Sequence, residues 1–497
     1  MAAAATIQES SLQGSLYELV ARGQKDNYFV RDISSSYHPY SGRYEPVAPY
    51  ITERRTTVPL NAAAFGNTFE VALEPYGDIL TEVGFTIELP TWLPPSLPYM
   101  GSTAGPKRVN SYYWITGSGA AAGASYGYVN AVGYYLFERI QFYQDQILLQ
   151  EWSGDGLLAT GLTEGSWNSA FLDLAQAGQV GPLGQLASGR QLALRATPGR
   201  LRVRLPVPGC QTPGDPGFPL CCVPNQNYRF RVKLRKLEDI VCGLDASGTP
   251  IMKPEPWNVP QFTFTSEEGP VVFAPVPVSQ PTILLETVQA YVPPEIKDEL
   301  RRTPHNIAFR RQFENIFTFG PLDYKPFRDA SGALIEGAVS AVTRRLDGRH
   351  PTERLVFFFR GQESVNTNRL DDFTNAGGSQ FYQALKLIIA GQDREALHDY
   401  TIWQDMNAHA KDERDSGLNI GEMRWSLGDV YERVKPAWRQ PEGTVNFTTA
   451  DRPTLYIELA DVPVAAMGGQ RTEMRVFTEG WAAYIIEDGR GRLFSAN

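Results

Sequence analysis

Apolar and polar residues alternate with a period of two in stretch after stretch of this chain, which predicts strands and few helices. Phe69, Val71 and Leu73 alternate with Glu70 and Glu74, and Val83, Phe85, Ile87 and Leu89 with Glu82, Gly84, Thr86 and Glu88. Leu201, Val203 and Leu205 are separated by Arg202 and Arg204. The cleanest alternation is Tyr228, Phe230, Val232 and Leu234 against Arg229, Arg231, Lys233 and Arg235. A one-residue slip would turn that apolar face to water, so its register should be firmly set. Further strands are expected at 137–149 (with a turn at Gln144-Asp145), 283–287, 355–359, 385–389, 423–427, 454–459 and 474–486.

Helical spacing is rare. In PPEIKDELRRTP, Pro294 suits a first turn, Asp298 can pair with Arg301 and Arg302, and Pro304 ends the segment. Leu12, Leu16, Leu19 and Val20 form a short amphipathic turn stopped by Gly23, so residues 1–45 read as an arm that docks on something. Residues 91–130 are dense in Gly, Ala, Ser, Pro and Tyr and predict a long excursion on the outer surface. The Gly- and Pro-rich run 243–262 reads as a boundary. The expected division is an arm (1–45), a first β unit (46–245), a linker (246–262) and a second β unit (263–497).

Composition agrees with a turn-rich, all-β chain: 45 Gly, 36 Pro and 11% aromatic residues in 497. A net charge of −9 argues against a chain-wide grip on nucleic acid, which needs a basic excess. Arg344, Arg345, Arg349 and Arg354 cluster, but Asp347 and Glu353 lie among them, and a solvated loop is expected. Four cysteines (Cys210, Cys221, Cys222 and Cys242) are too few and too irregular for a disulfide scaffold. Reduced thiols are expected, with the adjacent Cys221 and Cys222 on opposite faces of a strand. The first ten residues lack a basic region followed by an apolar core, and no apolar run is long enough to cross a bilayer.

Candidate chemistry is sparse. Gly123-Ala124-Ser125-Tyr126-Gly127 satisfies GxSxG, but a nucleophile elbow needs a hydrophobic strand before it and a helix after it. His38, His305, His350, His398 and His409 form no metal-binding spacing. Asp371-Asp372 reads as a solvated pair in a loop, and Asp393-Arg394 as a structural pair in a strand-end turn. Tyr112, Tyr113 and Trp114 could stack on sugar rings, which keeps a β-sandwich carbohydrate-active hydrolase as the alternative. No catalytic, cofactor or metal site is expected.

The stretch that organises the second half is PAWRQPEGTVNFTTADRPTLYIEL, a stiff corner between two strands. Pro441 presets φ, Gly443 permits a positive φ, and Asn446 can bond its own backbone. Asn446-Phe447-Thr448 also fits the N-glycosylation pattern, although a structural turn explains it. Pro441, Gly443, Asn446, Phe447 and Asp451 resemble the "PSG…NFS…D" corner of the major capsid proteins of nucleocytoplasmic large DNA viruses, with Glu442 and Thr448 standing where that family has serine. The resemblance continues in LYELVARGQKDNYFV of the arm, in Gly77-Asp78-Ile79, in Tyr228–Leu234 with the turn cluster before it, and in Gly391, Asp393 and Arg394. It runs collinearly through nearly the whole chain and is phycodnavirus- or iridovirus-like, with coccolithoviruses as suggested kin.

That resemblance implies two tandem eight-stranded jelly rolls, the double jelly roll. It further implies a homotrimer forming a pseudo-hexagonal capsomer in the icosahedral capsid of a large dsDNA virus. Expected partners are neighbouring capsomers and minor capsid proteins met by the arm, above an internal viral membrane, in virions assembled in host cytoplasm. A minor capsid or spike protein of the same virion is a third reading.

Overall fold

The structure is a computed structural model that describes residues 30–32, 44–46, 49–90, 101–102, 105–106, 113–115, 124–129, 131–163, 200–211, 215–244, 250–251, 262–266, 269–273, 280–375, 379–406, 419–425, 443–448, 452–462 and 471–494. Two β-sandwiches follow one another along the chain. In the first, strands β1 (Ile51–Thr57), β2 (Thr68–Ala72), β3 (Ile79–Glu88), β4 (Phe137–Gln144) and β5 (Ile147–Trp152) precede helix α1 (Gly154–Thr163). Strands β6 (Arg200–Arg204), β7 (Tyr228–Leu234) and β8 (Thr282–Tyr291) complete it. Its sheets have the orders β5-β4-β7-β2 and β6-β3-β8-β1, antiparallel throughout. Phe69, Val71, Val83, Phe85, Ile87, Phe230 and Val232 meet between them, each at most 1% exposed. The alternation in the sequence is thus the in–out alternation of sandwich strands.

Helix α2 (Pro294–Arg302), with Pro294 in its first turn as expected, leads into the second sandwich. There β9 (His305–Phe319), β10 (Ser340–Arg345), β11 (Pro351–Gly361), β12 (Tyr382–Ile389), β13 (Ile420–Arg424), β14 (Thr454–Leu459), β15 (Thr472–Glu487) and β16 (Arg490–Phe494) follow in order. One sheet runs β9-β15-β11-β13, with β16 on β15. The other runs β10-β14-β12, extended by Gln392–Asp393. Leu355, Phe357, Phe359, Leu385, Leu387, Leu455, Ile457, Met474 and Val476 fill the space between. The fold is therefore two jelly rolls in tandem.

Strand β8, expected in the second half, is hydrogen-bonded between β3 and β1 of the first sandwich. Alternation identifies a strand but not its partner, and here the hydrogen bonds of β8 join it to the first sandwich. Val241–Leu244 and Pro250–Ile251 join Ala124–Tyr128 and Tyr113–Ile115 in a small four-stranded sheet. The expected loop at 91–130 thus contributes short strands at Gly101–Ser102, Gly105–Pro106, Tyr113–Ile115 and Ala124–Tyr128. Of the arm, Val30–Asp32 pairs with Tyr44–Pro46, while the expected turn at Leu12 to Val20 lies outside the described residues.

Candidate functional site: the seam between the sandwiches

Helix α1 leaves the first sandwich and lies on the outer face of the β9-β15-β11-β13 sheet. Its Ala159 joins Val356, Phe358, Phe373, Ile420 and Phe477 in an apolar cluster that belongs to both halves. This explains LVFFF, Leu355 to Phe359: one face of β11 points into its own core and the other under α1, so alternation is lost. Close approach requires glycine at position 156, where a Cβ would collide with the Gln312 side chain.

The first turn of α1 carries a fully buried carboxylate. Asp155 accepts hydrogen bonds from Arg235 (2.9 Å) of the first sandwich and from Arg360 (2.6 Å) of the second, and Arg475 lies 3.0 Å away. Arg475 also pairs with Glu314 at 2.7 Å and with Glu473. Three guanidiniums and three carboxylates therefore balance, as buried charge requires. Burial opposes the charge on Asp155, and Arg360, Arg475 and Arg235 outweigh it, holding the carboxyl well below the usual range. Burial moves Glu314 the other way.

Two further sets of polar contacts cross or line the seam. Glu479 accepts from Arg354 (2.6 Å) and from Thr160 of α1 (2.8 Å), and Gln312 donates to that Thr160 hydroxyl (2.7 Å). Glu353 takes Arg310 through both oxygens (2.9 and 3.0 Å) and the Trp481 indole N–H (2.7 Å). Gln211 of the first sandwich brackets the Arg310 backbone, donating to its carbonyl and accepting from its N–H, both at 2.8 Å. Tyr228 and Tyr484 meet hydroxyl to hydroxyl at 2.9 Å across the halves, and Gln226 exchanges both amide bonds with Gly491. Apolar packing is continuous there too, since Ile307, Phe309, Ala482, Tyr484 and Ile486 belong to the first sandwich's core cluster.

Glu353 and Arg354, expected in a solvated loop, are 3% and 0% exposed on β11. Local sequence shows their charge but not the partners that neutralise it. Sequence alone points to no seam partner for Asp155, Arg235, Arg310, Arg360 or Arg475. The available signal was Arg354 and Arg360 bracketing an unbroken apolar run, where a solvated charge has no place.

The corner residues are only partly within view. Pro441 and Asp451 lie outside the described residues, and Gly443 has φ 43°. Asn446 accepts from the Thr448 N–H (3.0 Å), and Val445–Asn446 pairs with Pro351 and Thr352 of β11. Phe447 is buried in the second core, and its N–H donates to His350 O (3.1 Å). Ser125 of the GxSxG match sits inside the strand Ala124–Tyr128 rather than at a strand-to-helix turn. Asp371 is 3% exposed rather than solvated, and Asp393 pairs with Lys386 (2.9 Å) rather than with Arg394. Among the described residues no His, Cys, Asp and Glu group could hold a metal ion, and no helix is long and apolar enough to cross a membrane.

His350 introduces a pH dependence. It is fully buried at φ 72°, beside Arg311 (3.4 Å) and the Phe313 ring. Burial, with the charges of Arg311 and Arg349, pushes its pKa down to about 4. The unfolded chain takes up this proton first, at its ordinary value near 6.5. The stability held above pH 6.5 is thus lost as pH falls towards 4, by roughly 3 kcal/mol. Urea midpoints measured between pH 7 and pH 4 should fall less steeply in His350→Gln than in the wild type. Parallel slopes would refute this assignment.

No protein-family model matches the sequence, and no curated protein matches it. Solved structures do. VP54 of PBCV-1, a crystal structure fitted into a reconstruction of the virophage Sputnik, is similar with a TM-score of 0.62 at 14% identity, over 92% of this chain and 99% of that one. A chain of the PBCV-1 virus capsid gives 0.61 at 14% identity over 92% and 99%. The Faustovirus major capsid protein gives 0.57 at 11% identity over 96% and 97%. Over nearly its whole length, then, this chain has the double jelly-roll fold of the PBCV-1 and Faustovirus capsid proteins.

Proposed function

We propose that this chain is the major capsid protein of a large icosahedral double-stranded DNA virus and works as a trimer. The observation that carries the proposal is the pair of complete sandwiches locked together by a buried, charge-balanced seam, in a fold shared end to end with capsid proteins. Two similar bricks per chain, repeated by a threefold axis, present six similar outer contacts, so one gene product can pave a flat facet. A loose joint would spoil that tiling. The seam supplies a fixed angle because its ion pairs match in only one relative placement. In this reading the first brick runs to Tyr291, and α2 is the joint.

The N-terminal arm is assigned to the inner side, towards minor capsid proteins and a membrane below, and the excursion at 91–130 to the outer surface. Light scattering on the purified chain should give three times its mass, and negative-stain images should show near-hexagonal blocks. A chain lacking residues 1–45 should still form these blocks but fail to assemble shells. A monomer, or a shortened chain that cannot fold, would overturn the respective part.

A further inference from the structure

Cys221 and Cys222 lie on a 3₁₀ turn, Leu220–Cys222, rather than on opposite faces of a strand. Their sulfurs are 3.8 Å apart. The Arg301 Nε donates to Cys221 O (3.2 Å), and His305 Nε2 lies 3.6 Å from Cys222 Sγ. Cys222 lines a cavity of about 560 Å³ where the first sandwich, the end of α2 and the β15–β16 turn meet. Arg301 and Arg302 also line it, opposite Glu487 and Asp488. That volume is within the range of small-molecule sites.

We propose that Cys221 and Cys222 form a reversible thiol-modification site that reacts with small-molecule disulfides and ends as a disulfide between the two neighbours. Cys221 is the attacking sulfur. It is the more exposed of the two at 8% against 3%, and the Cys222 S–H donating to it favours its thiolate. The same contact holds Cys222 protonated. The Cys221 thiolate attacks one sulfur of the small disulfide, whose S–S bond breaks and whose other half leaves as a thiolate. His305 Nε2 donates to Leu300 O (2.7 Å), so it cannot receive the Cys222 proton. The departing thiolate takes it. Cys222 then attacks the Cys221 sulfur and expels the second half. The protein loses two electrons, and the small disulfide becomes two thiols.

The product is strained, because consecutive Cα atoms are about 3.8 Å apart, short of the roughly 4.4–6.8 Å that relaxed disulfides span. Strain makes a disulfide easy to reduce, which marks this pair as a reversible site rather than a staple. The inference stands independently of the capsid reading.

The test is to treat the folded, full-length chain with oxidised glutathione and follow intact mass and peptide maps. The wild type should lose the mass of two hydrogens at the peptide carrying Cys221 and Cys222, and dithiothreitol should restore it. Cys222→Ser should stop at one glutathione on Cys221. Reaction at the pair should outpace that at the buried Cys210 by at least about tenfold. If Cys222→Ser does not fold, the wild-type map decides alone. The proposal is overturned if the folded chain stays unmodified while the urea-unfolded chain reacts, if Cys210 reacts equally fast, or if the wild-type adduct never closes.

Discussion

Replacing Asp155 by asparagine is expected to destabilise the chain by about 3–5 kcal/mol, because it leaves buried guanidiniums without the carboxylate that neutralises them. Arg360, at 2% exposed, bears most of the loss, because the Arg235 and Arg475 side chains are 18% and 15% exposed and Arg475 keeps Glu314 and Glu473. Asparagine keeps the volume and one acceptor oxygen, which isolates the charge as the cause. The control is Arg200→Ala, whose partner Glu88 is half exposed; surface pairs of that kind contribute under about 1 kcal/mol. Urea midpoints of both variants and the wild type make the measurement. Equal shifts would mean that the seam is no more than a surface network.

Acid should separate two titrating elements, the seam carboxylate Asp155 of α1 and His350 of the second sandwich. The Asp155 carboxyl is depressed, so its contribution persists above the ordinary carboxylate value and is lost only as pH falls through its lowered folded value. The His350 contribution disappears earlier, on the way from 6.5 to about 4. Mild acid therefore loosens the corner before the seam. Proteolysis at intermediate pH should cut near the corner while the two sandwiches stay joined.

Most strand positions were legible in the sequence because most sandwich strands have one wetter and one dry face, β11 and much of β15 being buried on both. Tyr228 to Leu234 shows this directly, and its observed burial alternates in step. The seam was not legible, for two physical reasons. Its partners are far apart along the chain: Asp155, Arg360 and Arg475 are close only after both sandwiches have formed. Helix α1, GDGLLATGLT, is rich in glycine and threonine, weak helix formers, so packing rather than propensity stabilises it. The partners of β8 are hidden for the same reason, since its pairing with β3 and β1 is long-range. The corner, by contrast, is local chemistry. Asn446 bonding two residues ahead is what an Asx turn predicts from sequence.

That corner carries the second large effect: Phe447→Ala is expected to remove about 3–5 kcal/mol. The chain between β13 and β14 passes from one sheet of the second sandwich to the other, and among its described residues Phe447 is buried in the second core, with Trp425 and Val445 packed against it. Its ring is 3% exposed, lies 6.0 Å from the Trp425 ring and rests directly on Gly348, where any Cβ would strike it. Truncation leaves a cavity beside Gly348, the Trp425 ring and the packed side chains of the second core. The neighbouring polar contact is weaker: Asn446→Ala removes the acceptor of the Thr448 N–H, and each hydrogen bond lost there should cost about 1 kcal/mol. Gly348→Ala should approach the Phe447→Ala effect from the opposite direction, by overpacking the same site. Urea unfolding of the three variants, with hydrogen exchange along β11 and β14, distinguishes the cases. If Phe447→Ala and Asn446→Ala prove equally mild, the corner is a solvated turn, and the two sheets are held in place by their core alone.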